Sequence, residues 1–336
     1  NINDTSFTTG KFTLGASRKY YLRTNPQEPH KYQNSYDRSS LYLSRITIMN
    51  GSPSFEFDYF VRNAGKNHIS YYEPQSRKYK IYDISKDSVL GTLLGEGTSS
   101  RYVTSSYNGK YIAYFEAGNV NIVEDLNVDN TKAYSTSILT NGAFSSESGK
   151  RVLSGLTVSD NGLMSVSCSN MIFLYDLSKN KYINSFVCED YRPGSSYLSY
   201  DGKFLVGQDG NGKYICYKIE NDELIKLFIL DEHHFIDFNQ KETNKILVRH
   251  KKTDLFQLIC IDPYSVLKEL NSNDDLIGVD AHNSTFATGT SNSVKVYSLD
   301  NLQLIKEIST VRIPAQSFYK NNTIYFEEGF KIDLGD

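Results

Sequence analysis

Apolar and polar positions along this chain alternate in short runs, and six of the runs close on an acidic residue. They are Lys80-Ile81-Tyr82-Asp83, Asn121-Ile122-Val123-Glu124-Asp125, Phe173-Leu174-Tyr175-Asp176, Cys216-Tyr217-Lys218-Ile219-Glu220, Leu258-Ile259-Cys260-Ile261-Asp262 and Val296-Tyr297-Ser298-Leu299-Asp300. The closing acids stand 42, 51, 44, 42 and 38 residues apart. Ahead of several runs an Asn-Gly or Asp-Gly turn opens a strand, as in Asn108-Gly109-Lys110-Tyr111, Asn161-Gly162-Leu163-Met164 and Asp201-Gly202-Lys203-Phe204. Asn and Gly accept positive φ, so each dipeptide predicts a two-residue hairpin. A second turn follows (Ala117-Gly118-Asn119, Ser169-Asn170, Asp209-Gly210-Asn211-Gly212), then the acid-closed run, another turn and a fourth strand. No amphipathic helix intervenes, which makes each unit a meander. The run Met171-Ile172-Phe173-Leu174-Tyr175 is apolar almost throughout, as expected of a strand packed on both faces. Asp262 to Leu270 carries a capping residue, a Pro and good helix formers, yet its place in the repeat predicts an outer strand.

Four short strands recurring near every forty residues are the mark of a β-propeller, one blade per repeat. The 336 residues accommodate seven four-stranded antiparallel blades of about 42 residues each, with roughly 40 left for a tail and closure. The expectation is an all-β, seven-bladed propeller filling residues 1–336 as a single domain, with residues 1–10 as a flexible tail. Residues 54–95 form the first regular repeat, and the 51-residue step holds an insertion around residues 127–150 with another hairpin at Ser148-Gly149-Lys150. Residues 11–50 and 311–336 share the closing blade, so that the ring has no free edge.

Composition narrows the partners. With 36 basic and 39 acidic residues the charge nearly cancels, and no basic stripe is present to follow a nucleic-acid backbone. No apolar run reaches 18 residues, so no transmembrane segment is expected. With 26 Tyr, 18 Phe and no Trp, packing falls to Tyr, Phe and β-branched side chains. The four cysteines (Cys168, Cys188, Cys216, Cys260) are too scattered for a zinc pair or a disulfide framework and read as packing residues; Cys168–Cys188 is the one pair whose repeat position allows a bridge. The chain begins at Asn1, which fits a processed protein or a piece of a longer one.

The order of turn, Gly-Lys, apolar strand, hairpin and strand ending in Tyr-Asp-Leu resembles WD40-like and YVTN-type propellers over residues 54–308, best in Asp160-Asn161-Gly162 through Tyr175-Asp176-Leu177. Tyr175 stands where WD40 repeats carry Trp, and no copy has their Gly-His pair, which sets the chain apart from the WD40 class proper. The diverged pattern, the Tyr-, Asn-, Lys-, Ser- and Ile-rich composition and the Met-less start are similar to propeller domains of uncharacterised bacterial surface lipoproteins, especially from Bacteroidetes. That resemblance implies a location in the cell envelope more than an activity.

Candidate sites are few. His233-His234, between Asp231-Glu232 and Phe235-Ile236-Asp237, offers imidazole and carboxylate ligands of the kind zinc takes. Neighbours on a strand face opposite ways, so the favoured reading is a pair of hydrogen-bonded residues on an inner strand beside the axial channel. Asp209-Gly210-Asn211-Gly212 resembles the start of a calcium loop but lacks the later acid, and reads as a tight turn. Asn271 to Asp275 reads as a solvated loop between blades. Neither a nucleophile elbow, a His-Glu-x-x-His helix nor a phosphate-cradling loop is present. Tyrosine pairs with Arg or Asn near irregular stretches, and exposed Tyr stacks on sugars or anchors proteins. Tyr32 and Tyr36 in the 24–40 loop, and Tyr191 and Arg192 in the 189–196 loop, are therefore the binding candidates. The competing reading, that Tyr replaces Trp in packing, is favoured for most of the 26.

The sequence points to a monomeric, non-enzymatic module without cofactor, recognising a glycan or a protein partner at one end of a propeller in the cell envelope. A cytoplasmic WD40-type scaffold is the first alternative. An envelope hydrolase or lyase is the second, and carboxylates converging with His in the axial channel would favour it.

Overall fold

A computed structural model of the chain describes residues 19–23, 45–49, 62–63, 67–73, 78–86, 88–93, 103–116, 119–143, 153–168, 170–187, 196–208, 212–290, 293–309, 317–326 and 331–334. Six four-stranded antiparallel meanders follow one another: blade 1 (residues 62–93), blade 2 (103–135), blade 3 (153–187), blade 4 (196–230), blade 5 (233–270) and blade 6 (275–309). The first strand of each sheet is the inner one. Arg62–Asn63, Val103–Ser105, Leu153–Val158 and Ser196–Leu198 touch in succession. The chain is an all-β propeller of four-stranded blades.

Among the described residues six four-stranded blades are present, where seven were expected. The six regular repeats between residues 54 and 309 each make a blade, whereas the composite closing blade does not appear among the described pairings. Lys19–Arg23 pairs with Arg45–Met49 in a hairpin of its own. Ser317–Lys320, Thr323–Phe326 and Lys331–Asp333 form a three-stranded sheet that packs on blade 6.

Why the strands lack polar alternation is visible in what each face touches. In blade 3, Phe173 and Tyr175 pack with Tyr111, Val120 and Ile122 of blade 2. Their neighbours Ile172 and Leu174 pack with Leu198 and Leu205 of blade 4. The same division runs through blade 2, where Ile112 and Tyr114 face blade 1, and through blade 5, where Ile246 and Val248 face blade 4 while Leu247 faces Phe286 of blade 6. Blade 6 hands Ala287, Val294 and Val296 to Tyr319 and Ile324 of the three-stranded sheet. Gly278, on the inner strand of blade 6, lets that sheet approach: a Cβ there would stand 3.1 Å from the backbone N of Tyr319.

Tyrosine does replace Trp in packing. Tyr82, Tyr111, Tyr114, Tyr175, Tyr214, Tyr297 and Tyr319 are all buried. Tyr175 meets Tyr134 edge-on at 5.7 Å and donates its hydroxyl hydrogen bond to Asn180. Cys168 and Cys216 lie in the same interfaces as free, buried thiols, and burial pushes Cys168 up to about 12. The segment Asp262 to Leu270 is an outer strand, Ser265–Leu270, as its repeat position requires. The insertion near 127–150 supplies the fourth strand of blade 2, Lys132–Ser135, and a short helix, Thr136–Leu139; the hairpin expected at Ser148 lies outside the described residues. The loop at 271–275 is less solvated than expected, because Asp274 is buried and pairs with Lys295 at 3.0 Å.

Two of the closing acids, Asp83 and Asp176, cap turns. Asp83 accepts from the backbone N and hydroxyl of Ser85 and from the Lys86 N. Asp176 accepts from the Ser178 hydroxyl and the Lys179 N. Asp300 reaches further, accepting from Asn239 and pairing with Lys241 of blade 5.

Phe286 is fully buried between Phe256 at 5.4 Å and Tyr297 at 5.2 Å, on both sides of the blade 5–6 boundary. Phe286→Ala is expected to cost about 3–5 kcal/mol in denaturant unfolding. Val266→Ala on an exposed outer strand should stay within about 0.5 kcal/mol. Equal costs at the two positions would contradict packing between blades as the source of stability.

Candidate functional site

At the end of the ring where inner strands turn outward, blades 2 to 6 carry variants of one local device. Ser106, Ser159 and Ser199 follow the inner strands of blades 2, 3 and 4. Each hydroxyl donates to the Asx side chain two residues on, Asn108, Asn161 or Asp201. Gly109, Gly162 and Gly202 come next with φ between 72° and 86°, a backbone region that glycine enters freely. Blade 5 substitutes Asn239, whose side chain accepts from the Lys241 and Glu242 N–H groups. Blade 6 substitutes Asp280, which accepts from the His282 N and the Asn283 side chain.

These turns lock to one another around the ring. The Asn108 N donates to Asp160 at 2.9 Å, and the Asp160 N donates to the Tyr200 carbonyl at 2.8 Å. Thr243 of blade 5 donates to Asp201 of blade 4 at 2.7 Å. The Asn321 N of the three-stranded sheet donates to Asp280 at 2.6 Å.

Inside the belt lies a cavity of about 240 Å³. Its polar lining comes from five elements: Tyr107 of blade 2, Tyr200 of blade 4, Asp237 of blade 5, Asp280 and His282 of blade 6, and Lys320 of the three-stranded sheet. The Tyr107 hydroxyl and His282 Nδ1 share a hydrogen bond of 2.6 Å that joins blade 2 to blade 6. Tyr107 also meets the Tyr200 ring edge-on at 5.1 Å. Tyr200 donates to Asp237 Oδ1 at 3.1 Å, and the Phe238 N donates to the same oxygen at 2.8 Å.

Burial sets the electrostatics. Asp237 is half-buried where it opens onto the cavity, and desolvation pushes its carboxyl up to about 6, against the two hydrogen bonds that hold it down. Lys320 is 4% exposed, and desolvation lowers its ammonium to about 8 although the charge of Asp280 opposes the shift. Tyr107 and Tyr200 are raised above the ordinary phenol, first by burial and then by neighbouring carboxylates. His68 on blade 1 is lowered mainly by burial, and the Lys320 charge adds to the effect, which brings the three-stranded sheet into the electrostatic reach of blade 1.

The residues chosen from sequence fall elsewhere. Tyr32, Tyr36, Tyr191 and Arg192 lie outside the described residues. His233 and His234 do sit on an inner strand, His233–Phe238. His233 bonds Gln257 at 2.8 Å and its ring meets His250 at 5.0 Å, while His234 is exposed and paired in register with Arg249. Among the described residues no group of three or more His, Cys, Asp or Glu could hold a metal ion. The cavity residues were missed, although Asp237 stood two positions beyond Phe235. Their signal was the recurring turn: Ser106-Tyr107-Asn108-Gly109 and Ser199-Tyr200-Asp201-Gly202 are copies whose second member enters the cavity.

No family model matches the chain, and no curated protein matches it in sequence. Solved structures do match in fold. A chain of a structure titled "Crystal Structure of Mitotic Checkpoint Complex" aligns with TM-score 0.55 and 12% identity, over 83% of this chain and 91% of its own. "Structure of U3-55K" aligns with TM-score 0.52 and 13% identity, over 80% and 87%. The Kuenenia stuttgartiensis hydrazine synthase aligns with TM-score 0.50 and 15% identity, over 75% and 86%. At these identities the likeness is one of fold.

Asp237 yields a pH prediction. Its folded value near 6 exceeds the unfolded value near 3.8, so between those limits the folded protein holds a proton the unfolded chain has lost. Stability at this group therefore falls as pH rises from about 4 to about 6. Asp237→Asn is expected to melt higher than the parent at pH 7, by up to about 2–3 kcal/mol, and to lose that advantage near pH 3.5. Melting curves of both proteins across pH 3.5–7.5 check it, and parallel curves would reject the assignment.

Proposed function

We propose that this protein is a propeller-based binding module that receives its ligand at the belt-turn end, over the axial cavity. The observation that carries the reading is the cavity itself. Asp237, Asp280 and Lys320 are kept inside it, drawn from three different sheets, although burying charge opposes folding. Groups held against that cost in a concave site are the usual sign of a binding or reacting surface. The fold adds a rigid frame, with the recognition groups on turns between fixed strands.

The three-stranded sheet serves as the closing element of the ring, between blade 6 and blade 1, and the whole chain acts as one unit. Contacts of Tyr319 and Asn321 with blade 6, and the charge of Lys320 felt at His68, support that arrangement. A protein or glycan partner suits an end surface that mixes aromatic and charged groups. Location in the cell envelope rests on the composition and the likeness to bacterial surface propellers; no helix among the described residues is long and apolar enough to cross a membrane.

One observation favours a second reading. Asp237, with a carboxyl near 6, shares the cavity with Asp280 and His282, which is the convergence expected of a hydrolase or lyase. Against it, the Asp280 oxygens already accept from Asn321, His282 and Asn283, and His282 Nδ1 is engaged by Tyr107.

Hydrogen exchange with mass spectrometry, run with hits from a glycan and peptide panel, tests the binding reading. Added ligand should slow exchange in the turns at 106–111, 199–204, 239–245 and 280–285. Protection confined to the outer strands Glu223–Leu230 and Ser265–Leu270 would move the site to the rim and remove this proposal.

A further inference from the structure

We propose that the axial cavity binds a cationic group, a guanidinium or an ammonium, with Asp237 as its counter-charge and the rings of Tyr107 and Tyr200 as its walls. This names the ligand chemistry of the site and so rests on the binding-module reading. Two features of the geometry lead to it.

The first is the imbalance of charge. Lys320 and Asp280 act on one another inside the cavity, so their charges offset. Asp237 has no such companion. Among the described residues it forms no ion pair; what faces it is the Tyr200 hydroxyl at 3.1 Å and the Phe238 N at 2.8 Å. A half-buried, desolvated carboxylate of this kind is the group in the cavity that gains most from a cation arriving beside it. An anion would have to approach Lys320 past Asp280 and Asp237, both cavity-lining acids.

The second is the wall. Tyr107 and Tyr200 line the cavity together, edge-on at 5.1 Å. Both hydroxyls are engaged, by His282 and Asp237, so their rings stay fixed. Aromatic faces near a carboxylate suit a planar guanidinium or an ammonium, which gains from the ring quadrupole as well as from the charge. The 240 Å³ cavity has room for such a head group and part of its stem, at about 30 Å³ per water-sized group. Around the same end, Lys203 and Lys241 are paired with Asp201 and Asp300 at 3.2 and 3.1 Å, which reduces their repulsion of an incoming cation.

The cation could be an arginine or lysine side chain of a partner protein, or a free small amine. Titration of the whole chain by NMR or calorimetry distinguishes them. The probes are ethylguanidine, Nα-acetyl-arginine methylamide, short peptides with one central Arg or Lys, and the neutral citrulline counterpart. The charged probes should bind at pH 7, and the citrulline probe should bind at least tenfold more weakly. Peptides tenfold tighter than ethylguanidine point to a partner's side chain; equal affinity points to a free amine. Affinity in the parent protein should fall about tenfold between pH 7 and pH 5, as Asp237 takes up its proton. Asp237→Asn should lose at least tenfold in affinity while melting no lower than the parent at pH 7.

Citrulline binding as well as arginine, affinity independent of pH, or an unaltered affinity in Asp237→Asn would overturn the cation site. No charged probe binding at millimolar concentration would do so too. None of these outcomes touches the broader reading if another ligand still protects the belt turns from exchange.

Discussion

Every blade in this propeller depends on its neighbours for a core. The middle strands are apolar on both faces, and each face meets a different blade: Phe173 turns toward blade 2, Leu174 toward blade 4. A single sheet of this kind, taken alone, would expose a full apolar side to water. Burial is therefore a property of the succession of blades and not of any one of them, as in other repeat architectures. The Tyr side chains suit this arrangement. Tyr175 fills space with its ring against Tyr134 and still satisfies its hydroxyl at the edge of the interface through Asn180.

Packing alone does not set how the blades are rotated about the axis. The belt of turns does that, with directional hydrogen bonds from Asn108 to Asp160, from Asp160 to Tyr200 and from Thr243 to Asp201. One further bond, between Tyr107 and His282, ties blade 2 to blade 6 without passing through the blades between them. The belt thus fixes the cavity's shape and its charge in the same set of contacts. Moving a turn to relieve Asp237 would break bonds that position Tyr200. The frame and the site are one construction.

Much of the architecture was legible in residue spacing. The six acid-closed runs located six blades, and in two of them the acid caps the following turn, where Asp83 and Asp176 use the same Oδ1 in the same way. Even the outer strand after Pro263 followed its repeat position over its helical composition. The C-terminal sheet was less legible, since its one acid-closed strand, Lys331–Asp333, is short and the pairing of the N-terminal hairpin is internal. The cavity was hardly legible at all. Tyr107, Asp237, His282 and Lys320 are separated by up to 213 positions in sequence, and what unites them is where their inner strands end. Spacing reveals strand order; it does not say which residues share an axis.

One irregularity recurs from blade to blade. In blades 1, 3, 4, 5 and 6 the register between third and fourth strands slips by one residue, next to Tyr82, Tyr175, Tyr217, Ile259 and Tyr297. In blades 3, 5 and 6 the first and second strands slip as well, next to Gly155, Asp237 and Gly278. The second and third strands keep unbroken register in all six blades. A bulge interrupts the ladder and adds local twist, so each blade has a regular spine of two strands with its adjustments made on the flanking strands. One of those adjustments falls at Asp237, so the carboxyl in the cavity sits where its blade departs from a regular ladder.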